Sequence, residues 1–406
     1  MRAILPASCA ILAMPILLHP GQSPLATRPA PDSLRGADVL PADYQPLHKG
    51  GIDLATGLYV RENEDLVVPG TPGIILRRTY LSGYRAPREF GIGAMHNGEE
   101  YLIGDGETFQ WISLILARGS RIEFTRSSPG TRLMNAQFVH NTTTRGFYGA
   151  TLTWTGLTWV LQKKDGSTMT FKGCSSATRT VCSIIQSRDA GGHTIYYRRS
   201  FAGALLKMDD GAGRWISFEY DDSKRITRAF ASTGRFVEYT YDKAGRLASA
   251  IASDGLTYRY TYTDLDELAT IQEPGTAIEN SYADGRCVRQ VNRYPDSEPL
   301  VFDFSYQVEG KRVLRTESRN SAGVLKVYTW DEGKRSASES IGQEGSDPIV
   351  FEYERDAVTK AIRAVTVTCP DFGNGPSRRR SEVSSRGEEQ VKTDLVAQCL
   401  ASAIRR

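Results

Sequence analysis

Along Phe236-Val237-Glu238-Tyr239-Thr240-Tyr241, apolar and polar side chains alternate in residue types that favour extended backbone. This is the period-two signature of a half-buried β-strand. Asp242-Lys243-Ala244-Gly245 interrupts it with a turn whose glycine is free to take positive φ. Arg246 to Ile251 leads away as a second strand, Ser253-Asp254-Gly255 turns the chain again, and Leu256 to Tyr262 returns. The unit recurs: Tyr220, Tyr241, Tyr262 and Tyr282 fall 21, 21 and 20 residues apart, each followed within two positions by an aspartate. A fixed period of this size means supersecondary units that stack on their neighbours. Echoes at Asp189-Ala190-Gly191-Gly192 and Asp209-Asp210-Gly211 extend the series backwards, and Tyr306, Trp330-Asp331 and Tyr353 extend it forwards. The pattern predicts an all-β chain built as an antiparallel ribbon of hairpins.

Ahead of the ribbon, Gly51 to Val60, Glu64 to Val68 and Ile74 to Leu81 read as three strands separated by turns, the second turn forced by Pro69-Gly70. Residues 99–185 continue as β-structure, with turns at Lys164-Asp165-Gly166 and Pro129-Gly130 and bulky faces from Phe147, Tyr148, Trp154, Trp159 and Phe171. After Thr366 the beat stops. Val391, Leu395, Val396, Cys399, Leu400 and Ile404 recur at three- and four-residue spacing, which predicts an amphipathic helix over Glu388–Ile404. Glu388 and Glu389 at its start suit the helix dipole.

Tyr241-Asp242-Lys243-Ala244-Gly245-Arg246-Leu247, followed by a turn glycine and a Tyr-x-Tyr strand, resembles the YD or RHS repeat. Tyr220-Asp221-Asp222-Ser223-Lys224-Arg225 lacks the glycine, and Tyr262-Thr263-Asp264 lacks Gly-Arg. Tyr282-Ala283-Asp284-Gly285-Arg286 keeps the aspartate, the glycine and the arginine. Upstream, Ala55-Thr56-Gly57, Arg78-Thr79-Tyr80-Leu81-Ser82, Phe90-Gly91-Ile92-Gly93 and Asp165-Gly166-Ser167 with Phe171 resemble the domain that precedes RHS repeats. The family's usual Trp after that glycine pair is Met95 or His96 here. The resemblance implies a spiralling ribbon, and either a shell around a toxin or a cell-surface adhesion role. The chain departs from that pattern in the motif that ends the family's core, of which Asp347-Pro348 is only a fragment, so self-cleavage is in doubt. The expected organisation is a signal peptide over 1–26, a Pro-rich linker over 27–48, the RHS-associated β domain over 49–184, the repeat ribbon over 185–366 and a tail with the helix over 367–406. The segment Gly51 to Gly93 is expected to cap one end of the ribbon, and the helix to cover the other end or an apolar face.

Apolar residues make up 40% and charged residues 24% of the 406, an ordinary globular balance. A net charge of +3 without a basic, aromatic-interleaved patch argues against nucleic acid as a partner. Arg2 and the apolar run Ala3 to Leu18 resemble a secretory signal, too short and too Pro-interrupted to span a membrane. That predicts export to the periplasm, envelope or medium. Cysteine usage fits an oxidising compartment: Cys174 and Cys182 flank a short loop and are candidate disulfide partners, as are Cys369 and Cys399, leaving Cys287 over.

No nucleophile elbow, P-loop, zinc motif or EF-hand loop occurs, and His19, His48, His96, His140 and His193 stand in no catalytic pattern. No catalytic, cofactor-binding or metal residue is therefore assigned, and no cofactor is expected. The reading that follows is an exported, non-enzymatic protein acting through contacts with another protein or envelope carbohydrate. The alternatives are a component of a toxin system with a toxin or immunity partner, and an enzyme acting on cell-wall glycan.

Overall fold

The computed structural model describes residues 50–104, 110–117, 119–142, 146–172, 182–370, 376–383 and 387–404, the last five by backbone alone. The expected signal, linker and Cys174 lie outside them. From Tyr101–Gly104 to Ser377–Glu382, every strand pairs antiparallel with its neighbours in sequence. The ribbon then meets itself. Cys182 and Ser183, in the strand Cys182–Arg188, pair with Leu102 and Tyr101 of Tyr101–Gly104. Gln186 to Arg188 of that strand pair instead with Tyr196 to Thr194 of the next hairpin. One strand thus closes a circuit of eight and starts the following turn. The fold is an all-β, spiralling antiparallel ribbon that ends in one helix.

Alternation explains the closure. Leu102, Leu114, Phe124, Phe138, Leu152, Leu161, Phe171 and Ile184 project to one face of their strands and are fully buried together. Each such side chain contributes roughly 1.5–3 kcal/mol. Curling the sheet is the way a single ribbon covers that face with itself.

The N-terminal segment differs from expectation in two respects. Of its first expected strand only Val60 is strand, the rest being a turn closed by the Ile52–Tyr59 bridge, while Val60–Val68 takes in the second and pairs with Ile74–Leu81, with a register shift between Glu64 and Leu66. The polar residues Arg61 to Asn63, expected as a break between strands, are strand as well, and a bulge directs Asp65 into the core. Nor does the segment cap an end. Tyr59, Leu66, Val68, Leu76, Tyr80 and Phe90 belong to the same apolar core as Phe218, Tyr239, Ile271 and Phe304 of the repeats. The hairpin lies along the ribbon's inner face: Arg214 donates to the Pro69 and Pro72 carbonyls at one extreme, and Thr316 to the Leu54 carbonyl at the other.

Gly245 has φ of 84°, the left-handed turn position. Its neighbours show how the motif tolerates loss of glycine, since Lys224 and Lys334 occupy the equivalent positions at φ of 65° and 59°. A β-branched residue is less forgiving there. Gly245→Val is expected to cost roughly 1–3 kcal/mol, and Lys243→Ala at the exposed turn close to nothing. Thermal melting of the two variants checks this, and equal losses would overturn it.

The helix Glu388–Ile404 lies on the last strands. Val391, Leu395 and Cys399 pack on Phe351, Val365, Val367 and Cys369, and a disulfide joins Cys369 to Cys399. Lys392 Nζ reaches the buried Glu339 carboxylate at 2.7 Å and sits over the Phe351 and Tyr353 rings. Among the described residues, no helix is long and apolar enough to cross a membrane.

Candidate functional site

The repeat-defining residues serve the ribbon itself. Tyr220, Tyr241, Tyr262 and Tyr282 donate their hydroxyls to the carbonyls of Leu205, Ile226, Leu247 and Leu268, each just past the corresponding turn of the preceding unit. Tyr306 does the same to Cys287. The Asp242 carboxylate accepts from the backbone N–H groups of Ala244 and Arg246 and from Arg246 Nε. Burial alone would raise its pKa, but these bonds hold it below the usual carboxylate range. The Arg246 guanidinium then lies over the Tyr262 ring of the next unit at 4.9 Å, as Arg225 lies over Tyr241 at 4.4 Å. Tyrosine, aspartate, glycine and arginine are therefore one clamp from each hairpin to the next. Asp284 and Gly285 solve the turn differently: both have positive φ between the paired Ala283 and Arg286, and Arg286 Nη1 donates to the Asp284 carbonyl. The echoes at Asp189 and Asp210 lie at the opposite rim from the Tyr-Asp turns, half a period away. They use the same chemistry, with His193 and Arg214 on the aspartates.

The first tyrosine of each Tyr-x-Tyr pair points to the N-terminal hairpin. Arg78 makes two hydrogen bonds to Asp65, at 2.8 and 3.0 Å, with both side chains nearly inaccessible. Tyr239 donates to Asp65 Oδ2 at 2.9 Å, and Arg78 donates to the Tyr260 hydroxyl at 3.0 Å. Nearby, Gly91 lies against the best-matching repeat: a Cβ there would stand 2.4 Å from the Gly245 carbonyl oxygen. Both observations locate the buried joint between the two parts of the chain.

Glu89, His96 and Glu99 come together in this joint, with ligand-type atoms within 4.8 Å of one another. Sequence reasoning passed over them, although His96 and Glu99 stand at an H-x-x-E spacing. Their atoms are already engaged. His96 Nε2 bonds Glu89 Oε2 at 2.9 Å, and His96 Nδ1 accepts from Gly98 N–H. Glu99 Oε2 accepts from His96 N–H, and Glu89 accepts from Tyr220 and from Leu205 N–H. The cluster is a set of mutual hydrogen bonds, and a metal would have to break them.

Burial acts to raise the Glu89 pKa, but the bond and charge of His96, the charge of Arg199 and the Tyr220 bond prevail and hold it below its ordinary value. A depressed carboxylate contributes stability above its unfolded pKa of about 4.3, and this is lost as pH falls through the folded value. Denaturant titrations between pH 6 and 3 are expected to show a steeper acid loss for the native chain than for Glu89→Gln. Parallel curves would refute the assignment.

Cys287 is buried and unbridged, its thiol pushed up to about 12 by burial. Cys182 is disulfide-bonded; Cys174 lies outside the described residues. An open cavity of about 720 Å³ lies between the N-terminal hairpin and the rim of the first circuit, lined in part by Arg77, Phe147, Lys163, Asp165, Arg188 and His193.

The RHS repeat model matches residues 220–257, and that of the domain of unknown function DUF6531 matches residues 49–124. No curated protein matches the chain. Among solved structures, TcdB2-TccC3 is similar over 77% of this chain and 22% of its own, at 10% identity and a TM-score of 0.36. The Photorhabdus luminescens Tc holotoxin pore is similar over 79% and 20%, at 9% identity and a TM-score of 0.30. A porin-like protein from Bacteroides uniformis is similar over 71% and 95%, at 11% identity and a TM-score of 0.18. The chain spans about a fifth of the length of the Tc-toxin chains it matches. The clamp of Tyr241, Asp242, Gly245 and Arg246 lies within the matched repeat and the Asp65–Arg78 hairpin within the matched upstream domain, so the chain carries an RHS repeat behind a DUF6531 domain.

Proposed function

We propose that this RHS-repeat chain is an exported, non-enzymatic interaction module that works through its rims and outer surface on a protein or envelope carbohydrate. The observation that carries this reading is the filled interior. The inner face of the repeats is packed with the chain's own Tyr59, Leu66, Leu76 and Phe90. A ribbon whose inside is its own core offers its outside for work. The disulfide Cys369–Cys399 and the apolar start at Ala3 to Leu18 support an oxidising destination.

The test is fractionation of a bacterial host expressing the full chain, with mass spectrometry of its N-terminus. Loss of about 20–30 residues and recovery outside the cytosol are expected; an intact Met1 in the cytosol would overturn export. Hydrolysis of purified peptidoglycan by the protein would replace the binding reading with the enzymatic one. A second reading, a component of a toxin system, draws on the RHS repeat itself. It requires a separately encoded toxin that co-purifies in fixed stoichiometry with this chain.

A further inference from the structure

We propose that two copies of this chain join edge to edge along Ser377–Glu382, the strand that ends the ribbon. The two ends of the ribbon differ. At its start, Cys182 and Ser183 take the outer edge of Tyr101–Gly104. At its finish, Ser377–Glu382 pairs with Ile362–Cys369 on one side, and no strand of the described residues pairs with it on the other. The Val383 N–H donates to the Arg363 carbonyl and continues that ladder by one position. Bonding positions alternate along an antiparallel strand, so the odd-numbered residues direct their backbone groups to this neighbour. The N–H and C=O groups of Arg378, Arg380 and Glu382 therefore face outward along an open edge.

Proteins block such edges with prolines, bulges, side chains thrown across them or a covering segment. This strand has no proline, and its ladder runs without a register shift. Its arginines lean back over the sheet instead of across the gap. Arg380 makes two bonds of 2.8 Å to Glu354, and Arg378 bonds Glu352, both on the strand two places inward. The helix and the Cys369–Cys399 bridge hold the neighbouring strand from its inner face.

The residues along the edge name the partner. A two-fold axis at Ser381 sets Arg380 opposite the partner's Glu382, and Glu382 opposite the partner's Arg380. These are outward-facing positions, so each such pair also exchanges both backbone hydrogen bonds. Glu382 is 74% exposed and touches its own Arg380 only at 3.5 Å, which leaves it available to a second arginine. Ser381 meets its own copy at the axis, where the strands approach closely and a small side chain fits. A strand of unrelated sequence would gain the backbone bonds without this match of charge.

Sedimentation equilibrium of the purified chain across a concentration series tests the pairing, and a reversible dimer is expected. Arg380→Pro removes an outward N–H and leaves the inner ladder intact. It should weaken the dimer about tenfold more than Arg380→Ala, which loses the same charge but keeps the N–H. Arg380→Glu and Glu382→Arg each place like charges across the axis and should be monomeric alone. Mixed in equal amounts they restore both opposite pairs, and a heterodimer should form. Glu382→Arg, at an exposed position, decides the matter should Arg380→Glu fail to fold: dimerisation equal to that of the native chain would sink the register. A native chain that stays monomeric at every concentration, a folded mixture that does not associate, or equal dimerisation by Arg380→Pro and Arg380→Ala would overturn the proposal.

Discussion

Arg78→Met is expected to lower the free energy of unfolding by about 3–5 kcal/mol, because it strands the Asp65 carboxylate in the core. The side chains of Arg78 and Asp65 are only 3% and 5% exposed, so water cannot replace the lost partner. Tyr260 loses its charged partner in the same step, and Tyr239 remains as a lone donor to the stranded carboxylate. Arg289→Ala breaks an ion pair with Asp303 in which both side chains are about half exposed. It should cost less than about 1 kcal/mol. Urea unfolding of the two variants measures the difference, and comparable losses would show that the buried pair does not hold the hairpin in the ribbon. The double variant Arg78→Met with Asp65→Leu offers a second check. Removing both charges should recover much of the loss, since a buried ion pair often does no better than an apolar pair of similar volume.

Removal of residues 387–406 is expected to drive self-association. The helix is the cover over Phe351, Val365 and Val367 in the last strands, and without it that surface meets water. Each uncovered large apolar side chain costs roughly 1.5–3 kcal/mol. Light scattering should show higher-order species for the truncated chain and a monodisperse particle for the full one. A truncated chain that scatters as the full chain does, with the same melting temperature, would mean that the helix covers nothing essential. Cys399→Ala separates the staple from the packing. Opening a bridge between residues 30 apart should cost about 3–4 kcal/mol by chain entropy, with the helix still present to prevent association.

Much of the ribbon is legible from local chemistry. Phe236–Tyr241 and Thr257–Tyr262 form strands where alternation places them, and the turn between Tyr241 and Leu247 follows from an aspartate able to cap its own backbone. The helix Glu388–Ile404 follows from three- and four-residue spacing. Failures occur where a residue's role is set by a distant partner. Asp65 reads as a polar position of a strand, and its burial comes from Arg78 across the hairpin and from Tyr239, 174 positions away. Nothing in its local sequence marks Glu89, yet His96, Leu205 and Tyr220 converge on it. The echoes at Asp189 and Asp210 share the turn chemistry of Asp242, so sequence alone does not tell that they occupy the other rim.

Local residue pattern sets the unit: its length, its alternating strands, its turns, and the Tyr-Asp-Gly-Arg clamp whose bonds span a single repeat. Those interactions act between residues 4 to 16 apart, within reach of any antiparallel hairpin pair. Closure of the ribbon on itself through Cys182 and Leu102, and the seat of the N-terminal hairpin within it rather than at its end, emerge only in the folded chain. Hydrophobic burial drives both, and it is non-directional. An apolar face written into a strand states that it must be covered, and the covering surface is settled only when the whole chain competes for it.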